Sequence, residues 1–149
     1  MDGYLPDERL KSIGHTLELT TVLQKWIYLK GKKAEQRISS KGTFYYKEGP
    51  MNLTDSLELP SRTIITSEGG PGASRFKHLI ELKPNVYRRL VPEELERLNM
   101  FPTGHTALGK GADKEVPIPD AKRAFFMGNA LVVGIVEKIG LELGKRYNK

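Results

Sequence analysis

The sequence predicts an α+β fold, a short twisted sheet and hairpins with a few helices, ending in a long apolar C-terminal helix. Three observations carry that expectation. Runs of branched and aromatic residues alternate with Gly- and Pro-rich turns, two segments space apolar residues as helices do, and residues 125–136 are almost wholly apolar. At 149 residues the chain suits one domain by length, short for an enzyme that must also build a complete nucleotide-type cofactor fold.

From Thr20 onward, Val22, Leu23, Trp26 and Ile27 recur at helical spacing, opened by threonine and closed by Gly31, which predicts a short helix. A polar, mostly basic stretch follows. Ser39-Ser40-Lys41-Gly42 then reads as the turn of a hairpin running into Thr43-Phe44-Tyr45-Tyr46, where alternation assigns one tyrosine to the core and the other to solvent. Pro60 begins a strand over 62–66, a second candidate covers 76–82, and the two are expected to pair across the loop Gly69-Gly70-Pro71-Gly72. Pro92 followed by Glu93 and Glu94 suits a first helical turn, with Leu95 and Leu98 on the buried side. Residues 101–119 read as a surface connection, and a last helix starts near Asp120. The expected organisation is therefore 1–119 and 120–149.

In the last segment, Gly128-Asn129 precedes an apolar run. Asn129 is expected to cap its helix and leave backbone N–H groups at the positive dipole end, where an anion can bind; a capped core helix is the bland alternative. Leu131, Val132, Val133, Ile135, Val136 and Ile139 are too many for a small domain to cover, so some should be exposed and satisfied by a partner, a homodimer or altered packing.

The net charge of +6 and a pI near 9.5 favour a polyanionic partner without requiring one. The absence of cysteine excludes disulfides, thiolate metal sites and a cysteine nucleophile within the chain. His15, His78 and His105 lack metal-ligand spacing, so no metal is expected. No secretory signal pattern and no apolar run of spanning length are read, which leads to the expectation of a soluble, cytoplasmic chain without membrane contact.

Three blocks in one order carry a resemblance: Pro60-Ser61-Arg62-Thr63-Ile64-Ile65-Thr66-Ser67-Glu68-Gly69-Gly70, then Tyr87-Arg88-Arg89-Leu90-Val91-Pro92 continuing to Phe101-Pro102, then Gly128-Asn129-Ala130. Together they resemble the C-terminal third of a DNA (cytosine-5) methyltransferase, from about Pro60 to Leu143. The resemblance implies a target-recognition domain followed by the last two conserved motifs, with Gly128, Asn129 and Ala130 bordering the S-adenosylmethionine pocket. Thr63-Ile64 matches the family's variable-region dipeptide, and Gly69-Gly70 its glycine loop in the DNA major groove. Thr63, Ser67, Gly69 and Gly70 are thus expected DNA contacts, with Arg62, Arg75, Lys77 and His78 reaching phosphates or guanine edges. Arg37 and Lys41 lie where a first recognition loop would stand. Val91 and Asn99 depart from the family's usual Thr or Ser and Gln, which weakens capping there, and Glu94 and Arg97 are expected to act as an ion pair or backbone clamp.

The family's Pro-Cys nucleophile, its base-holding Glu, the supporting Arg motif and the cofactor loop are not found in these residues. The resemblance therefore implies a fragment or subunit that recognises double-stranded DNA and completes a catalytic domain or subunit carrying the thiolate, inactive alone and belonging to a restriction-modification system. The alternative is a freestanding, noncatalytic DNA-binding module.

Overall fold

The computed structural model describes residues 16–17 and 21–147, which fall into two compact units. His15 lies outside the described residues. One unit takes its described residues from 16–60 and 71–89, the other from 61–70 and 90–147. The boundary expected at 119/120 falls inside the second unit.

The first unit holds β1 (Thr16–Leu17), α1 (Thr21–Lys30), β2 (Lys33–Ser39), β3 (Gly42–Glu48), β4 (Ile80–Lys83) and β5 (Val86–Arg88). The helix expected from the apolar spacing is present as α1, closed where the Gly31 N–H donates to the Ile27 carbonyl at 2.9 Å. Leu23 and Trp26 are buried with Leu79 and Tyr87, and Leu53 and Ala73 pack against this core. Lys30 is buried on the same side of α1, and a buried cation needs partners. Its ammonium donates to the Leu53 carbonyl at 2.8 Å, pairs with Asp55 at 3.5 Å and lies 5.5 Å from the Trp26 ring centre. Asp55 in turn accepts the Leu79 N–H at 2.9 Å and donates its own N–H to the Leu79 carbonyl at 2.8 Å.

The strand pairing differs from expectation. Strands β1, β5 and β4 form an antiparallel sheet in that order, with β4 and β5 joined by a turn in which Asn85 takes φ 64°. Residues 62–66 form no strand; the chain bends back just beyond, with the Glu68 N–H on Ile65 O and the Gly70 N–H on Ser67 O. Branched side chains favour strands only when a partner edge is offered, and here this segment lies in the second unit under a helix. The hairpin β2–β3 forms as expected, with Ser39 opposite Gly42 and glycine at φ 114° where an L side chain would be strained. Both Tyr45 and Tyr46 are exposed, because among the described residues no layer covers either face of the ribbon between residues 34 and 47.

The second unit holds α2 (Pro92–Leu98), β6 (Leu108–Lys110), β7 (Glu115–Pro117), α3 (Asp120–Asn129) and α4 (Val133–Tyr147). Pro92 sits at the first position of α2 as expected. Glu94 acts as a backbone clamp, its carboxylate accepting the Val91 N–H at 3.1 Å; valine has no oxygen to return the bond. The helix ends in a Schellman arrangement: Met100, at φ 63°, donates to Arg97 O and Phe101 to Glu96 O, both at 2.9 Å. The surface connection 101–119 contains an antiparallel hairpin, β6 with β7, too short and too rich in Gly, Lys and Pro to show a period.

The C-terminal segment is two helices, interrupted at residues 130–132. Asn129 therefore closes α3 and does not open the apolar helix, and its side-chain amide donates back to the Phe125 carbonyl at 2.9 Å. By length and composition the stretch Asp120–Tyr147 is apolar enough to cross a membrane, which corrects the sequence estimate. The interruption leaves α4 with 15 residues, short of the roughly 20 a span needs.

Candidate functional site

The break between α3 and α4 borders an apolar cleft of about 420 Å³. Its walls are residues 61–64, Leu98 and Asn99 from the end of α2, Met127, Gly128 and Ala130 from the end of α3, and Leu131, Val132, Ile135, Val136 and Ile139 beyond. Two sets of residues expected to serve different ligands, Arg62 and Thr63 for DNA and Gly128 and Ala130 for a cofactor, thus line one cleft. Ile135 is 57 % and Ile139 55 % exposed, so the expectation that α4 leaves apolar surface uncovered holds for the described residues.

Gly128 is where the segment 61–70 crosses α3. A Cβ there would stand 2.4 Å from Thr66 N and 2.5 Å from both the Ile65 carbonyl carbon and Thr66 Cα, so only glycine lets the two backbones meet. Gly69 makes a second close approach, with a Cβ at 2.7 Å from Ala124 Cβ and 2.9 Å from Ala121 Cα. Both glycines hold one segment onto one helix.

Asn99 closes the break from below. Its buried amide donates to the Met127 carbonyl at 2.9 Å, one of the acceptors left over at the end of α3. Its own carbonyl accepts the Val133 N–H at 3.0 Å, a leftover donor at the start of α4. That donor is thus spent within the fold. Of residues 128–130, only Asn129 exposes a polar side chain. Asn99→Ala should lose about 1 kcal/mol of stability, the net contribution of one buried hydrogen bond, since the Met127 carbonyl keeps the Ala130 N–H at 3.3 Å; denaturant unfolding measures it.

Beneath α2 and α3 lies a buried ionic cluster. Arg123 donates from Nη1 to Glu93 at 3.0 Å, from Nη2 to Glu96 at 3.0 Å and from Nε to the Thr106 hydroxyl at 3.2 Å. Glu96 also accepts the N–H groups of Gly104 at 2.6 Å and Thr106 at 2.9 Å, and the Thr106 hydroxyl. Burial alone would raise the Glu96 pKa, but the hydrogen bonds from Thr106, Arg123 and Gly104 outweigh it and hold the carboxyl below its ordinary value. Burial would lower the Arg123 pKa, but hydrogen bonds and charge from the same two glutamates hold it above its ordinary value. None of its members lines the α3–α4 cleft, and its bonds tie α2, α3 and the loop at 104–106 together. The sequence alone does not reveal it, since Arg123 lies 27 residues from Glu96 across a loop.

The remaining candidate residues are dispersed. Thr63 and Ser67 are exposed and Arg62 is half-buried. Lys77 is 3 % exposed and its ammonium donates to the Gly72 carbonyl at 2.7 Å, while His78 is buried beside it. Arg75 pairs with Glu48 and donates to the Gly49 carbonyl at 2.9 Å, which braces the base of the hairpin. Arg37 lies 3.8 Å over the Tyr46 ring and 3.6 Å from Glu35; Lys41 is exposed in the hairpin turn. Arg97 donates to the Thr103 hydroxyl at 2.8 Å. His105 stacks on Phe101 at 5.0 Å, and among the described residues no group of His, Asp and Glu is placed to hold a metal.

A model of the C-5 cytosine-specific DNA methylases matches residues 6–145 of the chain. The chain belongs to that family. The family moves a methyl group from S-adenosylmethionine to carbon 5 of cytosine in DNA. Among curated proteins, the type II methyltransferase M.Sau3AI of Staphylococcus aureus is 41 % identical over 124 residues, which covers 83 % of this chain and 27 % of that relative. The chain thus spans about a quarter of that relative's length. No solved structure matches it.

Proposed function

We propose that this chain is the target-recognition part of a cytosine-5 DNA methyltransferase of a restriction-modification system, together with the last two conserved motifs. The observation that carries the proposal is the apolar cleft at the α3–α4 break, left open by the described residues and walled in part by Gly128 and Ala130 of the block read as the last motif. A surface of that kind calls for a protein partner, and the occupant proposed is the catalytic domain or subunit that carries the cysteine nucleophile. Without it, the chain is expected to transfer no methyl group and to pair with a second copy through α4.

In the assembled enzyme, S-adenosylmethionine supplies the methyl group, and Asn129 gives its amide to the cofactor's edge. Ser67 and Gly70 face the double-stranded DNA, while Arg62 and Thr63 wall the partner's cleft and Gly69 braces the segment on α3; Arg37 and Lys41 belong to a second DNA contact on the hairpin. Arg75 and Lys77 act in this reading as braces, since both already bind within their own unit. A cytosine thus held is positioned to be flipped toward the partner's thiolate. The setting is cytoplasmic, where restriction-modification enzymes meet DNA.

The test is reconstitution. The chain is mixed with the catalytic half of a cytosine-5 methyltransferase of this type, and methyl transfer to duplex DNA is followed with labelled S-adenosylmethionine. Activity is expected only in the mixture, and Ile135→Asp with Ile139→Asp should abolish it while leaving the chain folded. Full activity of the chain alone, or of the mixture with those two aspartates, would overturn the proposal.

A further inference from the structure

The break between α3 and α4 has no local cause. Residues 130–132 are Ala-Leu-Val, with neither proline nor glycine, and Ala and Leu are among the strongest helix formers. The nearest glycines, Gly128 and Gly134, both lie inside helices. On propensity alone α3 would run on into α4 as one helix over Asp120–Tyr147, 28 residues long. Ala130 instead takes extended backbone, with φ −79° and ψ 160°. Where proline and glycine are missing, a helix is broken by a side chain that enters its ladder of N–H to carbonyl bonds.

Asn99 is that side chain. In an unbroken helix the Met127 carbonyl would accept the Leu131 N–H, and the Val133 N–H would donate to the Asn129 carbonyl. Asn99 takes both places, its amide donating to Met127 O at 2.9 Å and its backbone carbonyl accepting the Val133 N–H at 3.0 Å. Val132, the residue before α4, has no side-chain oxygen to receive a leftover donor, so the acceptor comes from another segment. Asn99 is held firmly enough to act this way. It is 5 % exposed, its N–H donates to Leu95 O at 3.2 Å, and one turn earlier Arg123 of α3 binds Glu96 of α2 at 3.0 Å.

We infer that Asn99 is a positioning residue that divides one helix into two, and that the break it makes sets Leu131, Val132, Ile135 and Ile139 as walls of the cleft. Without its amide, the stretch 120–147 adopts a second arrangement, a continuous helix in which those walls are lost. The docking half of the inference rests on the partner role proposed above; the helix break is a property of this chain alone.

The two halves are read separately. In the full chain alone, the backbone carbon chemical shifts of Ala130, Leu131 and Val132 should be non-helical. Asn99→Ala and Asn99→Leu, one smaller and one of similar size, both remove the amide and should move all three residues to helical values. Asn99→Gln keeps the donor and should keep the break. Thr106→Val loosens the other tie between α2 and α3, where the Thr106 hydroxyl meets Glu96 and Arg123, and should also leave the three residues non-helical. In reconstitution, the concentration of catalytic half that gives half-maximal methyl transfer should rise about tenfold in Asn99→Ala and Asn99→Leu, with the rate at saturation within about twofold, as for a docking arrangement populated roughly one time in ten. Asn99→Gln and Thr106→Val should shift neither quantity. Helical shifts at 130–132 in the unaltered chain, or non-helical ones in both amide-free variants, would overturn the inference whatever the enzyme does. A helix that becomes continuous with no change in the half-maximal concentration would overturn the docking half alone. If no mixture is active, the partner role and the docking half fall together, and the chemical shifts still decide the break.

Discussion

Replacing Arg123 with methionine should remove about 3–5 kcal/mol of stability at neutral pH, because Glu93 and Glu96 would remain buried with their shared cation gone. Methionine fills much of the same volume, so the loss reports the charges more than a cavity. Its pH dependence identifies the cause. In the folded protein the Glu96 carboxyl is held below its ordinary value of 4.5, so its contribution is present above pH 4.5 and is lost as pH falls through the lowered folded value. In the methionine variant the Glu96 carboxylate lacks the guanidinium, and protonating it relieves the strain. The gap between the two proteins should be widest near pH 7 and shrink steadily below pH 4.5. Adding Glu93→Gln and Glu96→Gln to the variant should restore part of the loss, since the orphaned charges go with them. Denaturant unfolding at several pH values measures all three. A gap under about 1 kcal/mol, or one that does not change with pH, would show that the cluster does not hold α2 to α3 electrostatically.

What the sequence made legible were the features whose physics is local. Proline followed by two acids marks the start of α2, the Ser39–Gly42 turn marks a hairpin, and Leu23 and Trp26 mark the buried side of α1. The family was legible as well, since the order and spacing of residue blocks are sequence properties. The failures are nonlocal. Residues 62–66 have the composition of a strand, yet their environment is a helix that approaches closely enough to require Gly128. Asn129 looks like a cap for the residues after it, and only the interruption at 130–132 shows that it ends the helix before it. Lys77 and His78 read as surface cations, and their burial is set by packing within their unit. Asn99 attracts notice as a departure from a family position, but its work, joining Met127 to Val133, needs three segments to be in place. For the candidate site, the sequence named several residues of the cleft and gave no hint that they share it.

Gly128→Ala is the substitution that tests whether the cleft depends on that crossing. The added methyl would lie within 2.5 Å of three backbone atoms of Ile65 and Thr66, and backbone, unlike a side-chain tip, has no rotamer to escape into. Alanine gains about 0.8–1.0 kcal/mol of helix propensity over glycine, and overpacking of this kind costs about 1–3 kcal/mol or more. The clash should win, with a net loss of about 1–2 kcal/mol. Gly134→Ala provides the control, because its methyl meets only the Sδ and Cε of Met100 at 2.6 and 2.7 Å, the flexible end of an exposed side chain. That variant should be neutral or slightly more stable. The two substitutions add the same group to the two helices that flank the break, so the difference between them isolates the crossing. If segment 61–70 is pushed off α3, Arg62 and Thr63 move with it, and the wall they form with Gly128 and Ala130 opens. In the reconstituted enzyme, Gly128→Ala should therefore lower methyl transfer by more than its stability loss explains, measured at a temperature where the variant is still folded. Gly134→Ala should leave transfer unchanged. Equal activities in the two variants would mean that the crossing serves stability alone and that the cleft takes its partner without the 61–70 wall.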